Sequence, residues 1–334
     1  MTSEVLRFTQ LQSCVDPSFW SELGNRKLDA YKLSEAAIEL EGRFTSSRYV
    51  EAIHRVPGTL VNLNTLEGFC AADKPVLMQK AAHQIWQDIC SGAAVADPSK
   101  LCRFLLLTHG DLKQFHFHYW FAFPALKPPS PYTVESCKTV ASAVSAERAA
   151  QLVAACDAWQ RGSSALWTGE PAHPATAGQS QPDSNPPAAG TSSPTATTIQ
   201  GPALSPPPFW LLRLGLPESG SGSGSAQPGV TALPLSGLTA LQALSQSGGS
   251  GGGGGLGGVP EHVWLCFSDP SNLPDNPGWP LRNLLLLAVA RWGAKNVTVG
   301  LATTMRVTFW SGVERPSQGA TMDPQQVTKP VRTP

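Results

Sequence analysis

Residues Phe267–Trp292 read FSDPSNLPDNPGWPLRNLLLLAVARW. Proline fixes φ, removes a backbone donor and drives the preceding residue out of the helical region. Pro270, Pro274, Pro277 and Pro280 therefore predict a stiff, extended loop. Pro280 suits the first turn of a helix, where a missing N–H costs little. Leu281, Leu284, Leu285 and Ala288 then follow at helical spacing, with Arg291 near the end and Gly293 as the stop. His262–Phe267 before the loop and Val297–Leu301 after the helix read as strands, so the segment is a strand–helix–strand unit. A right-handed crossover makes such strands parallel, with the helix on one face. The loop then lies at the carboxyl edge of the first strand, where α/β sheets offer a crevice. Asp269, Asn272, Trp279 and Arg282 are accordingly the candidate partner-binding residues, because exposed Trp and Arg dominate protein–protein contacts. A buried helix with an ordered lead-in loop fits the same letters.

Outward from this unit, Val5, Leu6, Phe8 and Leu11 read as an opening strand, and a helix covers Phe19 to Leu33 behind Pro17. Asp73 is a candidate N-cap for a helix with one stripe of Leu77, Ala81, Ile85 and Ile89 and a neighbouring one of Met78, Ala82 and Trp86. Gly92 stands at its expected C-terminal stop. A short helix or strand at Leu101–Leu107 leads to Gln114–Phe123, which alternates with period two. Phe115, Phe117, Tyr119, Phe121 and Phe123 share one face, and His116, His118, Trp120 and Ala122 the other, as in a strand covered on both sides. Ala149, Leu152, Val153, Cys156 and Trp159 predict a packed helix, and Phe209–Leu214 a strand.

Between these elements the composition changes. Residues 169–208 are dominated by Pro, Ala, Ser, Thr and Gln and read as a disordered insert, since they bury too little apolar surface to offset ordering. Residues 219–229 and 245–258 read as flexible Gly/Ser linkers, and 311–334 as a disordered tail. Of the 334 residues roughly 250 remain for packing, enough for one large or two small cores. The division expected is a first subdomain over 1–168 and a second over 209–310. Lys plus Arg equals Asp plus Glu at 24 each, which removes any net attraction to nucleic acid or anionic lipid. The longest apolar run, Leu284–Ala290, falls far short of the ~20 residues of a membrane span. With no apolar leader at the start, a cytoplasmic protein is expected.

Three chemical readings are available. Seven scattered cysteines without a CxxC pair suit reduced thiols, with Cys90 and Cys102 in apolar settings acting as small hydrophobes. The pair His116/His118 shares a strand face and invites a metal, but a third ligand is missing; His109 lies across a Gly-Asp turn, and hydrogen-bonded packing is the favoured role. A stand-alone enzyme built on these histidines is the weakest possibility. The GxGxxG match inside the glycine run lacks a preceding strand and a following helix, so no nucleotide site is assigned.

The run Asp269-Pro270, Asn272-Leu273 and Pro277-Gly278-Trp279-Pro280-Leu281-Arg282-Asn283 resembles the N-terminal domain of the ubiquitin-like modifier-activating enzymes of autophagy, the autophagy-related protein 7 family. FWSELGNRKLDAYKL from Phe19 to Leu33 agrees, as do GTLVNLNTLEGFCAADK, QKAAHQIWQDICSG and FLLLTHGDLKQFHFHYWFAFPAL between Gly58 and Leu126, in order and spacing. The resemblance implies an α+β, mixed-sheet domain in two subdomains. It also implies a non-catalytic role: recruiting the conjugating enzymes that receive autophagy-related proteins 8 and 12. No catalytic cysteine, ATP site or metal is expected in this chain, because ATP and zinc belong to the family's C-terminal adenylation domain. Cytoplasmic work at the autophagosome assembly site follows from the same likeness. The alternative is that the chain is one part of a complete ATP-dependent activating enzyme.

Overall fold

The structure, a computed structural model, describes residues 4–8, 15–46, 51–128, 132–162, 205–215, 229–247, 262–271, 273, 276–293, 297–301, 306–311 and 324–325. Most of the insert at 169–208, most of the two Gly/Ser-rich stretches, most of the 311–334 tail, and Asn272 lie outside the described residues.

The order begins with β1 (Glu4–Val5), α1 (Pro17–Arg26) continued by a π-helical turn at Lys27–Tyr31, β2 (Ile38–Phe44), β3 (His54–Leu63), α2 (Leu66–Ala71) and α3 (Lys74–Ser91). A short α4 (Ala93–Ala96) and a 3₁₀ turn at Pro98–Cys102 lead into β4 (Phe104–Asp111), β5 (His116–Ala122), β6 (Ala125–Leu126), β7 (Thr133–Thr139), α5 (Val140–Ala143) and α6 (Ala146–Arg161). Then come β8 (Phe209–Leu214), β9 (Val230–Leu233), α7 (Leu238–Ser247), β10 (Val263–Phe267), α8 (Pro280–Trp292), β11 (Val297–Leu301), β12 (Arg306–Ser311) and β13 (Pro324–Gln325).

The strands form a seven-stranded sheet in the order β1-β7-β12-β11-β10-β8-β9, a four-stranded sheet β2-β3-β4-β5, and a small pair β13-β6. Each of the larger sheets is mixed, with one parallel pair: β10 with β11, bridged by α8, and β3 with β4, bridged by α2, α3 and α4. The expected parallel strand–helix–strand unit is thus present, and the fold is α+β. The seven-stranded sheet draws β1 and β7 from before the insert and the other strands from after it.

Local chemistry sets the boundaries. Asp73 accepts from Val76 N at 3.0 Å to cap α3, which ends at Gly92 in the left-handed region, φ 87°. Ser145 caps α6 in the same way, and Pro280 opens α8, which stops at Gly293, φ 62°. The Leu101–Leu107 stretch divides into both expected types, a 3₁₀ turn and then a strand. Three expectations shift. Phe115 sits in the turn before β5 at φ 53° and is exposed, so the strand begins at His116, two residues later than expected. Cys90 is exposed rather than packed, while Cys102 is buried. Helix α7 runs to Ser247, into the stretch read as linker.

One core joins the two sheets. Leu60, Leu106 and Tyr119 from the four-stranded sheet meet Phe209, Leu211, Leu265 and Phe267 from the seven-stranded one, with Ile85 and Ile89 of α3 and Leu281–Ala288 of α8 among them. Helix α8 is apolar nearly all round because it is buried nearly all round. At roughly 1.5–3 kcal/mol per buried leucine it is a principal source of stability. The alternate residues of β8 and β10 face the other way, where Trp210, Leu212, Trp264 and Cys266 pack on Leu152, Cys156 and Trp159 of α6. Burial of β10 on both faces explains its unbroken apolar sequence, VWLCF.

Residues 206–208, just ahead of β8, are held from three sides. His54 Nδ1 donates to Pro206 O at 2.7 Å, Trp159 Nε1 donates to Pro207 O at 3.3 Å, and Ser268 N donates to Pro208 O at 2.8 Å. Gln160 Nε2 reaches Ser268 Oγ at 2.9 Å alongside.

Candidate functional site

The proline loop leaves the carboxyl end of β10 and closes on α8. Asp269 organises it from within: Oδ1 accepts from Ser271 N at 2.8 Å, and both carboxylate oxygens accept from Gly278 N, at 3.0 and 3.2 Å. Ser271 Oγ donates to Asn276 O at 2.9 Å and accepts from Leu273 N at 3.2 Å, tightening the same turn. A Cβ at Gly278 would lie 2.6 Å from Asp269 Oδ1, so only glycine allows this approach. Burial pushes the Asp269 carboxyl up to about 7, with the Ser271 and Gly278 amides pulling against it.

The expected exposure of this site is not found. Trp279 is 3% exposed and Asp269 2%. Trp279 stacks on Phe123 with centroids 4.7 Å apart and belongs to the core that joins the sheets. Burial removes more apolar area from water at this ring than a solvent-facing position would allow, which is why it faces inward. Arg282 is partly buried, its guanidinium 4.4 Å from the Phe8 ring centroid, and burial holds its pKa below the ordinary arginine value. Asn272 is outside the described residues. Among the described residues of the loop, Leu273 is the large apolar side chain turned outward, 49% exposed.

Sequence reading named Asn283 only within the resembling run and gave it no role, yet it anchors α8, the helix on which the loop closes. Its Nδ2 donates to Leu101 O at 2.8 Å and Pro124 O at 3.1 Å, and its Oδ1 accepts from Leu126 N at 2.9 Å. A fully buried amide thereby bolts α8 to the segment flanking the four-stranded sheet. The available signal was a single asparagine inside an apolar helix, since a buried amide needs partners for all its donors and acceptors.

Two other features carry polar chemistry. On the four-stranded sheet a groove of about 480 Å³ is bordered by Glu39, Glu41, Arg55, Asp97, Lys100 and Arg103. Asp88 holds Arg103 at 2.8 Å and Lys100 at 3.7 Å, leaving the groove of mixed charge. At the far end of the sheet, strand pairing sets His109 opposite His118 and Asp111 opposite His116. The His116 and His118 rings are 4.8 Å apart and the His109 and His118 rings 6.1 Å. Burial first, then the two neighbouring imidazoles, lowers the His118 pKa. His109 Nδ1 lies 3.2 Å from Leu63 O, and a carbonyl can only accept, so this nitrogen carries the proton. Among the described residues no helix is long and apolar enough to cross a membrane.

The fold has known counterparts. The crystal structure of Kluyveromyces marxianus Atg7NTD superposes with a TM-score of 0.55 at 16% identity, over 96% of this chain and 94% of that one. The crystal structure of the Kluyveromyces marxianus Atg7NTD–Atg10 complex gives 0.53 at 16% identity, over 98% and 93%. The human ubiquitin-like modifier-activating enzyme ATG7 is 40% identical over 148 residues, 37% of this chain and 20% of that protein. The ATG7 of Ajellomyces capsulatus is 27% identical over 316 residues, 88% of this chain and 40% of that protein. The chain therefore spans less than half the length of these relatives. Residues 6–311 match the family model for the ubiquitin-like modifier-activating enzyme ATG7 N-terminus, and the chain belongs to that family.

Proposed function

We propose that this chain is a non-catalytic docking domain that recruits conjugating enzymes of the autophagy modifier pathway, so that autophagy-related proteins 8 and 12 can be passed to them. The observation that carries this reading is the likeness of the whole fold to a domain crystallised with Atg10. Docking raises the local concentration of the acceptor near an activated modifier and makes transfer nearly intramolecular. The docking edge in this proposal is the outer side of the proline loop. Leu273 and the partly buried Arg282 supply its contacts, while Asp269 and Trp279 hold its shape from beneath. The setting is the cytoplasm, at the site of autophagosome assembly.

Calorimetric titration of the full chain with the conjugating enzymes of the two modifiers tests the proposal. Micromolar or tighter binding, weakened at least about tenfold by Leu273→Asp and by Arg282→Ala, is expected for contacts at an interface centre. Absence of binding to either enzyme would overturn the docking role, and binding unaffected by both substitutions would overturn its placement. A second reading, that the chain is part of a complete ATP-dependent activating enzyme, draws on its coverage of only 20% of the human relative. In that reading ATP and zinc belong to the further part of the protein, and sequencing the transcript beyond Pro334 decides it.

A further inference from the structure

We propose that the polar groove on the four-stranded sheet binds an extended peptide segment of a partner protein, one that carries a basic and an acidic side chain four positions apart. This inference is independent of the docking role. Along β3, Val56 and Leu60 turn into the core between the sheets, while Val61 and Leu63 turn toward the cluster of Met78, Leu105 and Trp120 beneath α2 and α3. The two-residue period then puts Arg55, Pro57 and Thr59 on that outer face. Glu39 and Glu41 stand beside them on β2, whose Ile38 and Leu40 pack on the core.

Helices α2 and α3 pack over β4, β5 and the end of β3. The remaining corner of the outer face, over β2 and the start of β3, is the cleft of about 480 Å³, with the turn Pro98–Cys102 and Arg103 as its second wall. That volume lies within the roughly 300–1,000 Å³ of ligand clefts. Strand β2 is at the edge of its sheet, and no strand pairs with its far side among the described residues, so an elongated ligand can enter lengthwise.

The charges that line the cleft are not all spent on one another. Arg103 gives Nε and Nη2 to Asp88 Oδ2, at 3.0 and 2.8 Å. Lys100 stops 3.7 Å from the other oxygen of the same carboxylate, beyond hydrogen-bond reach. Asp97 is committed to its own turn, where Oδ1 accepts from Ser99 N at 3.2 Å and Ser99 Oγ at 2.6 Å. On the opposite wall Glu41 has Arg43 and Arg55 each at 3.6 Å, whereas exposed Glu39 makes no ion pair with a described residue. The unspent groups are therefore Glu39 on one side and Lys100 on the other. Glu39 pairs with Thr59, and Arg103 falls beside Pro57, so their backbones are two strands and two residues apart, roughly 12 Å. Lys100 meets Arg103 at Asp88 and shares that separation. Same-face side chains four positions apart on an extended peptide are about 13 Å apart, which matches, with the basic one toward Glu39 and the acidic one toward Lys100.

The experiment titrates the full chain, by calorimetry, with the end-capped peptide acetyl-Lys-Thr-Val-Thr-Glu-amide and with its counterparts bearing two lysines or two glutamates at the same places. The mixed peptide should saturate one site with a Kd below about 1 mM, bind more tightly than either counterpart, and weaken as salt is added. Glu39→Gln and Lys100→Gln should each weaken it about two- to fivefold, the worth of an exposed ion pair. Glu39→Lys, at an exposed position without an ion pair to disturb, leaves the fold intact and should transfer preference to the two-glutamate peptide. Leu273→Asp, on the proline loop, should change nothing, which keeps this site distinguishable from the docking edge. No saturable binding of the mixed peptide at millimolar concentration, equal binding of all three, or a preference that Glu39→Lys leaves unchanged would overturn the site.

Discussion

A methyl group at position 278 would meet Asp269 Oδ1 at 2.6 Å, and that carboxylate is pinned by two backbone amides, so it cannot simply swing aside. Gly278→Ala is therefore expected to lower stability by about 1–3 kcal/mol, the usual range for overpacking, and chemical denaturation would read the loss directly. Two buried titratable groups pull the pH profile in opposite directions. Burial lowers His54 to about 4 although Pro206 O holds its Nδ1–H, so the native state takes up its proton later than the unfolded chain. Its contribution therefore falls as the pH drops from about 6.5 to 4, by roughly 3 kcal/mol in all. Asp269, raised to about 7, does the reverse. The native state binds its proton more tightly than the unfolded chain does, so its contribution falls by roughly 4 kcal/mol as the pH rises from about 4 to 7. Between pH 4 and 6.5 the two slopes largely cancel. Asp269→Asn should expose the His54 slope, with stability rising with pH, and denaturation midpoints of that variant across the window would show it; an unchanged profile would contradict the assignment. Trp279 marks the limit of sequence reading at this scale: its position was legible, but a Trp after a Pro-Gly pair looks the same whether it meets solvent or the Phe123 ring.

Among the elements, α8 was the most legible, because proline and glycine mark its ends through backbone sterics that act locally. Helix α3 was legible for the same reason, and its cap yields a direct measurement: Asp73→Ala should cost about 1 kcal/mol, the typical value for a lost N-cap, against little change for Glu67→Ala on the surface of α2. The partners of these elements were not legible. That β7 lies between β1 and β12, or that β4 runs parallel to β3, depends on contacts between residues far apart in the chain. Asn283 is the clearest case, since its three hydrogen bonds go to residues more than 150 positions away. Asn283→Leu preserves the bulk but orphans two carbonyls and an amide. It should cost at least about 3 kcal/mol, several times the loss at a surface position, which thermal unfolding would register.

For the whole molecule, composition separated structured from low-complexity sequence but left two subdomains as the expectation. Packing adds that one hydrophobic cluster includes Leu106, apolar residues of α8 and Leu265. Leu106→Ala and Leu265→Ala, on different sheets, should then lower one common unfolding transition by about 2–5 kcal/mol each, with near-ultraviolet and far-ultraviolet signals coincident. Separate transitions would mean that the sheets melt independently. The three bonds that grip residues 206–208 bear on how this chain tolerates change. Trp159, near the end of α6, holds Pro207 O directly, and Gln160 beside it reaches Ser268, whose amide holds Pro208 O. The chain that leaves α6 thus comes back to within one hydrogen bond of its own departure point. Whatever is threaded between Gly162 and Ser205 closes a circuit whose ends are already fixed. Doubling its length costs only about 0.6 kcal/mol of closure entropy and leaves the β8 register untouched. The architecture has a built-in port at which sequence can be added or removed without renegotiating either sheet.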